Sequence, residues 1–346
     1  MKIAQITFYK TMNYGGTLQA YALNKVLATF GDCECIDYTK ANLSPKGIKA
    51  FLQKFIYYRR KCAFDKFIKR HIHTSKTYDD LESMGKDYDY YVCGSDQIWN
   101  PDMMGGVCSD FYFLNFGDNT AKRIAYAASI GKENIEAKYL DYFKNSLSTF
   151  EALSLREHAC EQQLEQLINK PIEVTLDPTL LLSKDEWEKV CADIKELPPY
   201  LLVYDLSASQ EFTDAVNALS KKLNLPVVHF RSKKIYNNEL KRFFDYGPAE
   251  FLSLIKNAEF VFCSSFHGTV FSIIFEKEFL VWNSGKTSSR MANLLSTLGL
   301  ETRLLYSQDF DIQQKIDYRS IKERLEFLKE GSMDFIARNL REVEDR

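Results

Sequence analysis

Short apolar runs alternate with stretches of helical period along almost the whole chain, the rhythm of an α/β protein with mainly parallel strands. Lys2 to Phe8 reads as a first strand. Leu18, Tyr21, Ala22 and Val26 form the apolar face of a helix from Thr17 to Phe30, closed by Gly31. Cys33 to Tyr38 is the next strand, and residues 48–73 are helical. Further strands follow at Asp89 to Cys93, Arg123 to Ile130 and Leu153 to Glu157, with a helix over 135–149. After Val174-Thr-Leu-Asp-Pro178 the alternation restarts. Strands are predicted at Tyr200 to Asp205, at Pro226 to Phe230 (which carries Arg231), at Phe260 to Cys263 and at Phe279 to Trp282. Helices lie over 211–222 and 251–258, after Gly268, before Leu298, and over 321–341. Asp-Pro breaks regular structure, so Asp177 to Ser183 is the expected crossover between a domain of residues 1–176 and one of 177–320, followed by a C-terminal helical segment, 321–346.

The stretch from Ala258 to Phe275 organises this reading. A buried-type strand breaks into Ser264 and Ser265, then Phe266, His267 and Gly268, and the pattern becomes helical with Val270, Phe271, Ile274 and Phe275 on one side. A strand, a Ser/Gly turn and a helix make half of a βαβ unit. Its helix start presents N–H groups at the edge where α/β proteins bind ligands. His267 is therefore the first candidate for chemistry; the bland alternative is a histidine that caps a helix or fills a crevice.

The same logic picks out other strand ends. Met12-Asn-Tyr-Gly-Gly16 follows the first strand but is neither G-x-G-x-x-G nor a P-loop, so no dinucleotide or ATP is implied. Adjacent glycines let a backbone approach a ligand or simply make a tight turn; both readings stand. Gly94-Ser-Asp-Gln-Ile-Trp-Asn-Pro101 ends another strand. Asp96 suits a base or a hydroxyl acceptor, or an Asx turn; Trp99 suits sugar stacking or core. Arg156 offers a donor fork for a carboxylate or phosphate, or a structural pair with an acid. Arg290 is expected in the first turn of a late helix, where it and Lys286 would meet the anion held after Gly268.

Composition narrows the picture further. The net charge is -2 over 346 residues, so no global field recruits nucleic acid. The helix over 48–73 is locally basic and aromatic (Tyr57-Tyr-Arg-Arg-Lys61), which reads first as a solvated face and second as a surface for peripheral membrane contact. No apolar stretch is long enough to span a bilayer, and the N-terminus lacks a signal-peptide core. Eight cysteines without zinc spacing read as reduced thiols of a cytoplasmic protein, and no metal cluster is visible.

Seven stretches in register then resemble the polysaccharide pyruvyl transferase family. They are Asn13-Tyr-Gly-Gly-Thr-Leu-Gln-Ala-Tyr-Ala-Leu23, Gly94 to Pro101, Tyr126-Ala-Ala-Ser-Ile-Gly131, Ser154-Leu-Arg-Glu157, Asp177-Pro-Thr179, Ser265-Phe-His-Gly-Thr269 and Ser288-Ser-Arg290. The resemblance implies a GT-B-like fold, two Rossmann-like domains facing across a cleft, with the last helix packing back on the first domain. It implies pyruvate transfer from phosphoenolpyruvate onto two hydroxyls of a cell-surface glycan or its lipid-linked precursor, with phosphoenolpyruvate as donor substrate and no cofactor or metal. Under it, His267 is acid or phosphate partner and Asp96 the complementary base. Asn13, Gly15, Gly16, Arg156, Ser264, Ser265, Gly268 and Arg290 then bind substrate, with the acceptor on the side of the first domain. One residue departs from the pattern: some members carry Arg, implicated in holding phosphoenolpyruvate, where this chain has Ser265. Two alternatives stay open: a GT-B glycosyltransferase using a nucleotide-sugar, and a non-catalytic glycan-binding protein.

Overall fold

A computed structural model describes residues 1–39, 51–84, 87–117, 120–207, 209–230, 234–283, 288–308 and 310–340. The chain forms two compact units. The first comprises Met1–Ile48, Asp65–Leu181 and Glu326–Arg346; the second comprises Lys49–Phe64 and Leu182–Leu325.

From Lys2 to Leu181 the elements run β1 (Lys2–Ile6), α1 (Tyr14–Leu27), β2 (Asp32–Tyr38), α2 (Phe51–His71), β3 (Thr74–Tyr78), β4 (Tyr90–Cys93), β5 (Lys122–Ala128), α3 (Leu140–Leu147), β6 (Ala152–Leu155), α4 (Glu161–Ile168) and β7 (Glu173–Val174), with all seven strands in the first unit. The seven strands are parallel, in the order β3-β2-β1-β4-β5-β6-β7. Strand order reverses between β1 and β4, which pair from Ile3↔Tyr90 to Ile6↔Cys93. The carboxyl ends of these two strands flank the switch point at which such sheets bind ligands.

The second unit repeats the plan. It contains α5 (Lys184–Glu188), β8 (Leu201–Tyr204), α6 (Gln210–Leu223), β9 (Val227–Phe230), β10 (Glu239–Phe243), α7 (Pro248–Asn257), β11 (Phe260–Cys263), α8 (Phe266–Ile274), β12 (Glu278–Trp282), α9 (Ser288–Leu298), β13 (Leu304–Leu305) and the start of α10 (Tyr318–Asn339). The six parallel strands are ordered β10-β9-β8-β11-β12-β13, so the switch point lies between β8 and β11. Both α2 and α10 are divided by the unit boundary: α2 after Phe64 and α10 after Leu325.

Local chemistry explains most element ends. Ser183, Ser209 and Ser265 cap α5, α6 and α8 through their hydroxyls, and Asn224 ends α6 in the left-handed conformation. All four residues of β4, β8, β9 and β11 are buried, as strands covered on both faces require. Among the strands, the sequence pattern missed β3, β7, β10 and β13. All four are sheet edges, where polar residues such as Lys76, Glu239 and Lys241 stand in a strand without entering the core. The helix expected over 135–149 is shorter, because a 3₁₀ turn, Ala137–Tyr139, occupies its start. Trp99 is core: it is 1% exposed, stacks on Phe113 at 5.5 Å, and its indole N–H donates to the Tyr112 carbonyl at 3.0 Å.

Candidate active site

At the first unit's switch point, β1 leads into the first turn of α1. Asn13 caps that helix, its side chain accepting from the Gly16 N–H at 3.4 Å, so the structure gives Asn13 a local role. Gly15 and Gly16 are buried in the first turn itself. A Cβ on Gly16 would stand 3.4 Å from both Asp96 Oδ2 and Thr11 Oγ1. The helix start thus faces a carboxylate of the protein, a favourable placement for negative charge.

Asp96 reaches this place through an unusual backbone. It is 8% exposed and adopts φ +67, a conformation that Asp tolerates better than most residues. Gly94, at φ +117, precedes it; a Cβ there would lie 2.0 Å from the Tyr126 carbonyl, so only glycine fits. Asp96 Oδ1 accepts from the Gln97 N–H at 2.9 Å and lies 3.8 Å from Arg156 Nη2. A bond to the adjacent backbone and a place beside the start of α1 therefore coexist in one residue, without an Asx turn.

Arg156 is buried and ion-paired. Its Nη1 donates to Asp177 Oδ2 at 2.8 Å, and Glu157 lies 3.7 Å from its Nε. Burial opposes its charge, but Asp177, Glu157 and Asp96 outweigh that and raise its pKa. Of the two readings left open for Arg156, the structural pair is the one the geometry displays. Asp177 also accepts from Ser95 Oγ and from the Thr179 N–H and hydroxyl. Glu157 Oε1 accepts from Ser129 Oγ, Ile130 N–H and Gly131 N–H at 2.7, 3.2 and 3.1 Å. Gln19 ties the edge together, donating to Thr7 Oγ1 and to the Phe8 and Gly16 carbonyls while accepting from Ser95 N–H. Sequence reasoning assigned no role to Gln19 or Glu157 and gave Asp177 only a crossover role. Their signal was membership in the quoted stretches, whose convergence no spacing revealed.

The second unit's switch point has different contents. Helix α8 starts at Phe266, earlier than the turn read from the sequence, because Ser265 caps it by accepting from Gly268 N–H at 3.4 Å. His267 and Gly268 therefore belong to the first turn rather than preceding it. His267 is 8% exposed, its ring edge-on to Phe266 at 5.2 Å. The Arg290 guanidinium, 6% exposed, lies 6.0 Å from the centre of the same Phe266 ring, so His267 and Arg290 both border Phe266. The lack of a side chain at Gly268 serves packing: a Cβ would meet Cys263 Sγ at 3.1 Å and Tyr204 Cδ1 at 3.3 Å. Ser264 Oγ accepts from Leu206 N–H at 2.7 Å and is 3.4 Å from Asp205 Oδ1. Asp205, which the sequence reading treated only as a strand end, is thus a further polar group at this edge. Lys286 and Arg231 lie outside the described residues. Among the described residues no cluster of His, Cys, Asp and Glu is arranged to hold a metal ion, and no helix is long and apolar enough to cross a membrane.

The profile of the family described as polysaccharide pyruvyl transferase matches residues 13–284, most of the chain. The chain belongs to that family. Six of the seven stretches that carried the resemblance lie wholly within the matched region, and Ser288-Ser-Arg290 lies just beyond it. No curated protein matches significantly. Among solved structures, the putative UDP-N-acetylglucosamine 2-epimerase of Listeria monocytogenes superposes with a TM-score of 0.53 at 10% identity, covering 97% of this chain and 90% of that one. UDP-GlcNAc 2-epimerase of Neisseria meningitidis, bound to UDP-GlcNAc, gives 0.50 at 10% identity over 98% and 99%. The enzyme of the same name from Methanocaldococcus jannaschii gives 0.50 at 11% over 95% and 93%. At such identities the likeness concerns the fold alone, which is GT-B. Within this pyruvyl transferase family member, Ser265 at the position of the motif Arg has a local explanation: its hydroxyl is the α8 cap.

Proposed function

We propose that the protein transfers pyruvate from phosphoenolpyruvate to a pair of hydroxyls on a glycan or lipid-linked sugar, forming a ketal. The observation that carries this reading is the first turn of α8, where a Ser-capped helix start, His267 and Arg290 surround Phe266. A helix start and a guanidinium suit the donor's phosphate and carboxylate. In the reaction, C3 of the enol gains a proton, C2 becomes electrophilic, a sugar oxygen bonds to C2 as its proton leaves, and phosphate departs. The second hydroxyl then bonds to C2 in the phosphate's place and closes the ketal, its proton leaving with the phosphate. His267 serves as proton donor or as partner of the departing phosphate. Asp96, set beside Gly16 and near Arg156, accepts the hydroxyl proton.

A second reading, glycosyl transfer from a nucleotide-sugar, is favoured by one residue: Ser265 removes the cation that some family members place there. Thermal unfolding separates the two. Phosphoenolpyruvate at 100 times its dissociation constant stabilises by about 2.7 kcal/mol. That raises the midpoint by a few degrees in a chain this long. UDP-, GDP- and CDP-sugars are expected to shift it less. A clear shift with a nucleotide-sugar and none with phosphoenolpyruvate would overturn pyruvyl transfer.

A further inference from the structure

Glu157 follows β6 and Arg156 and is 4% exposed, yet the proposed chemistry gives it no part. Its Oε1 accepts three hydrogen bonds from a single turn after β5: Ser129 Oγ at 2.7 Å, Ile130 N–H at 3.2 Å and Gly131 N–H at 3.1 Å. Burying a carboxylate is costly, and three donors converging on one of its oxygens hold that turn to one shape. The turn in its place touches Asp96 twice. The Ser129 N–H donates to the Asp96 carbonyl at 3.0 Å, and the Trp99 N–H donates to the Ser129 carbonyl at 3.2 Å. Two residues on, Gly131 lies against the Gln97 side chain, where a Cβ would stand 2.2 Å from Gln97 Oε1. The Gln97 N–H in turn donates to Asp96 Oδ1 at 2.9 Å. One turn therefore links Glu157 to both the backbone and the carboxylate of Asp96.

A second route is electrostatic. Arg156 stands between the two carboxylates, its Nε 3.7 Å from Glu157 Oε2 and its Nη2 3.8 Å from Asp96 Oδ1. Glu157 Oε2 is buried and has no hydrogen-bond partner, so the guanidinium is what balances it. Asp96 is a residue that needs such support. At φ +67 it occupies a backbone region that persists only where the surroundings over-determine it. That conformation sets its Oδ2 3.4 Å from the point a Gly16 Cβ would occupy, beside the start of α1. Release of the Ser129–Gly131 turn would free the Asp96 backbone to relax and carry the carboxylate away from that helix start.

We propose that Glu157 is a positioning residue for Asp96, fixing the place of that carboxylate through the Ser129–Gly131 turn. That Asp96 accepts a proton rests on the function proposed above; its placement by Glu157 does not. The test takes the full-length protein and two readouts. One is hydrogen exchange at the Gln97 amide, which reports the bond to Asp96 Oδ1. The other is phosphate release from phosphoenolpyruvate in the presence of p-nitrophenyl hexosides. Glu157→Ala should speed Gln97 exchange roughly 2- to 12-fold, the worth of one hydrogen bond, with the amides of β11 unchanged. Turnover should fall by about 10²-fold, as a small misplacement of a reacting group costs. The KM for phosphoenolpyruvate should stay within about twofold, because the lost interaction is not one that holds the donor. Glu157→Gln keeps an acceptor for the turn, so it should recover most of the Gln97 protection and part of the turnover. A Glu157 that only supported folding would speed exchange in β4, β5 and β11 alike without singling out Gln97, and that overturns the proposal. A folded Glu157→Ala protein with wild-type Gln97 exchange, or with wild-type turnover, overturns it equally. If Glu157→Ala does not fold, Ser129→Ala decides: it removes one donor of the turn with every charge in place, and unchanged Gln97 exchange there rejects the proposal. A wild-type protein that releases no phosphate from phosphoenolpyruvate defeats the donor assignment, and Gln97 exchange still decides the placement of Asp96.

Discussion

The two switch points share one construction and fill it with opposite charge. In each, a central parallel strand ends in a short turn and a helix begins with an Asn or Ser cap. In the first unit, the space beside the first turn of α1 is taken by Asp96, and the nearby Arg156 is surrounded by three carboxylates. In the second, the first turn of α8 carries His267 and is bordered by Arg290 across Phe266. The glycines make the same contrast. Gly16 leaves ordinary contact distance to Asp96 and Thr11, whereas Gly268 lets α8 press onto Cys263 and Tyr204. A βα turn is thus a neutral platform. What it does is decided by the side chains brought against the helix start from neighbouring strands.

The contrast can be tested from its largest expected effect to its smallest. Under the proposed reaction, His267→Ala and Asp96→Asn should each lower turnover by roughly 10²–10⁴-fold, the range for a lost acid or base, with circular dichroism unchanged. A folded His267→Ala enzyme with near-normal turnover would remove His267 from the chemistry and favour a non-catalytic glycan-binding role. Next in size is stability. Arg156→Met strands buried carboxylates of Asp96, Glu157 and Asp177, and a broken buried pair costs about 3–5 kcal/mol, read as a drop in the urea midpoint. Arg290→Ala should cost less stability than that, yet lose more of the phosphoenolpyruvate shift; the reverse order would erase the distinction between the two arginines. The smallest effect compares glycines. Gly268→Ala crowds Cys263 and Tyr204 and should destabilise by about 1–3 kcal/mol. Gly16→Ala meets no close contact and should change stability by no more than about 1 kcal/mol, since alanine is the better helix former, while still slowing turnover by crowding the approach to Asp96.

Much of this was legible in the order of residues. Phe260–Cys263 is the strand the apolar run announced, because a strand covered on both faces must be apolar throughout. The positions of His267 and Asp96 at strand ends followed from the same alternation. Their local geometry did not. Ser265 moved the α8 start ahead of Gly268 by capping it, and Asp96 adopts a left-handed backbone that its neighbours do not advertise.

By itself the sequence determined the α/β alternation, the family and the places where chemistry would be looked for. All three depend on short-range periodicity and on residue types at strand ends, which are written locally. Only the tertiary structure decided that Arg156 is committed to Asp177, Glu157 and Asp96, that Gln19 laces β1 to the Ser95 turn, and that Lys10 pairs with Asp37. Those pairings join residues far apart along the chain. They are fixed by strand order and by the need to satisfy buried charge, and neither leaves a periodic mark in the sequence.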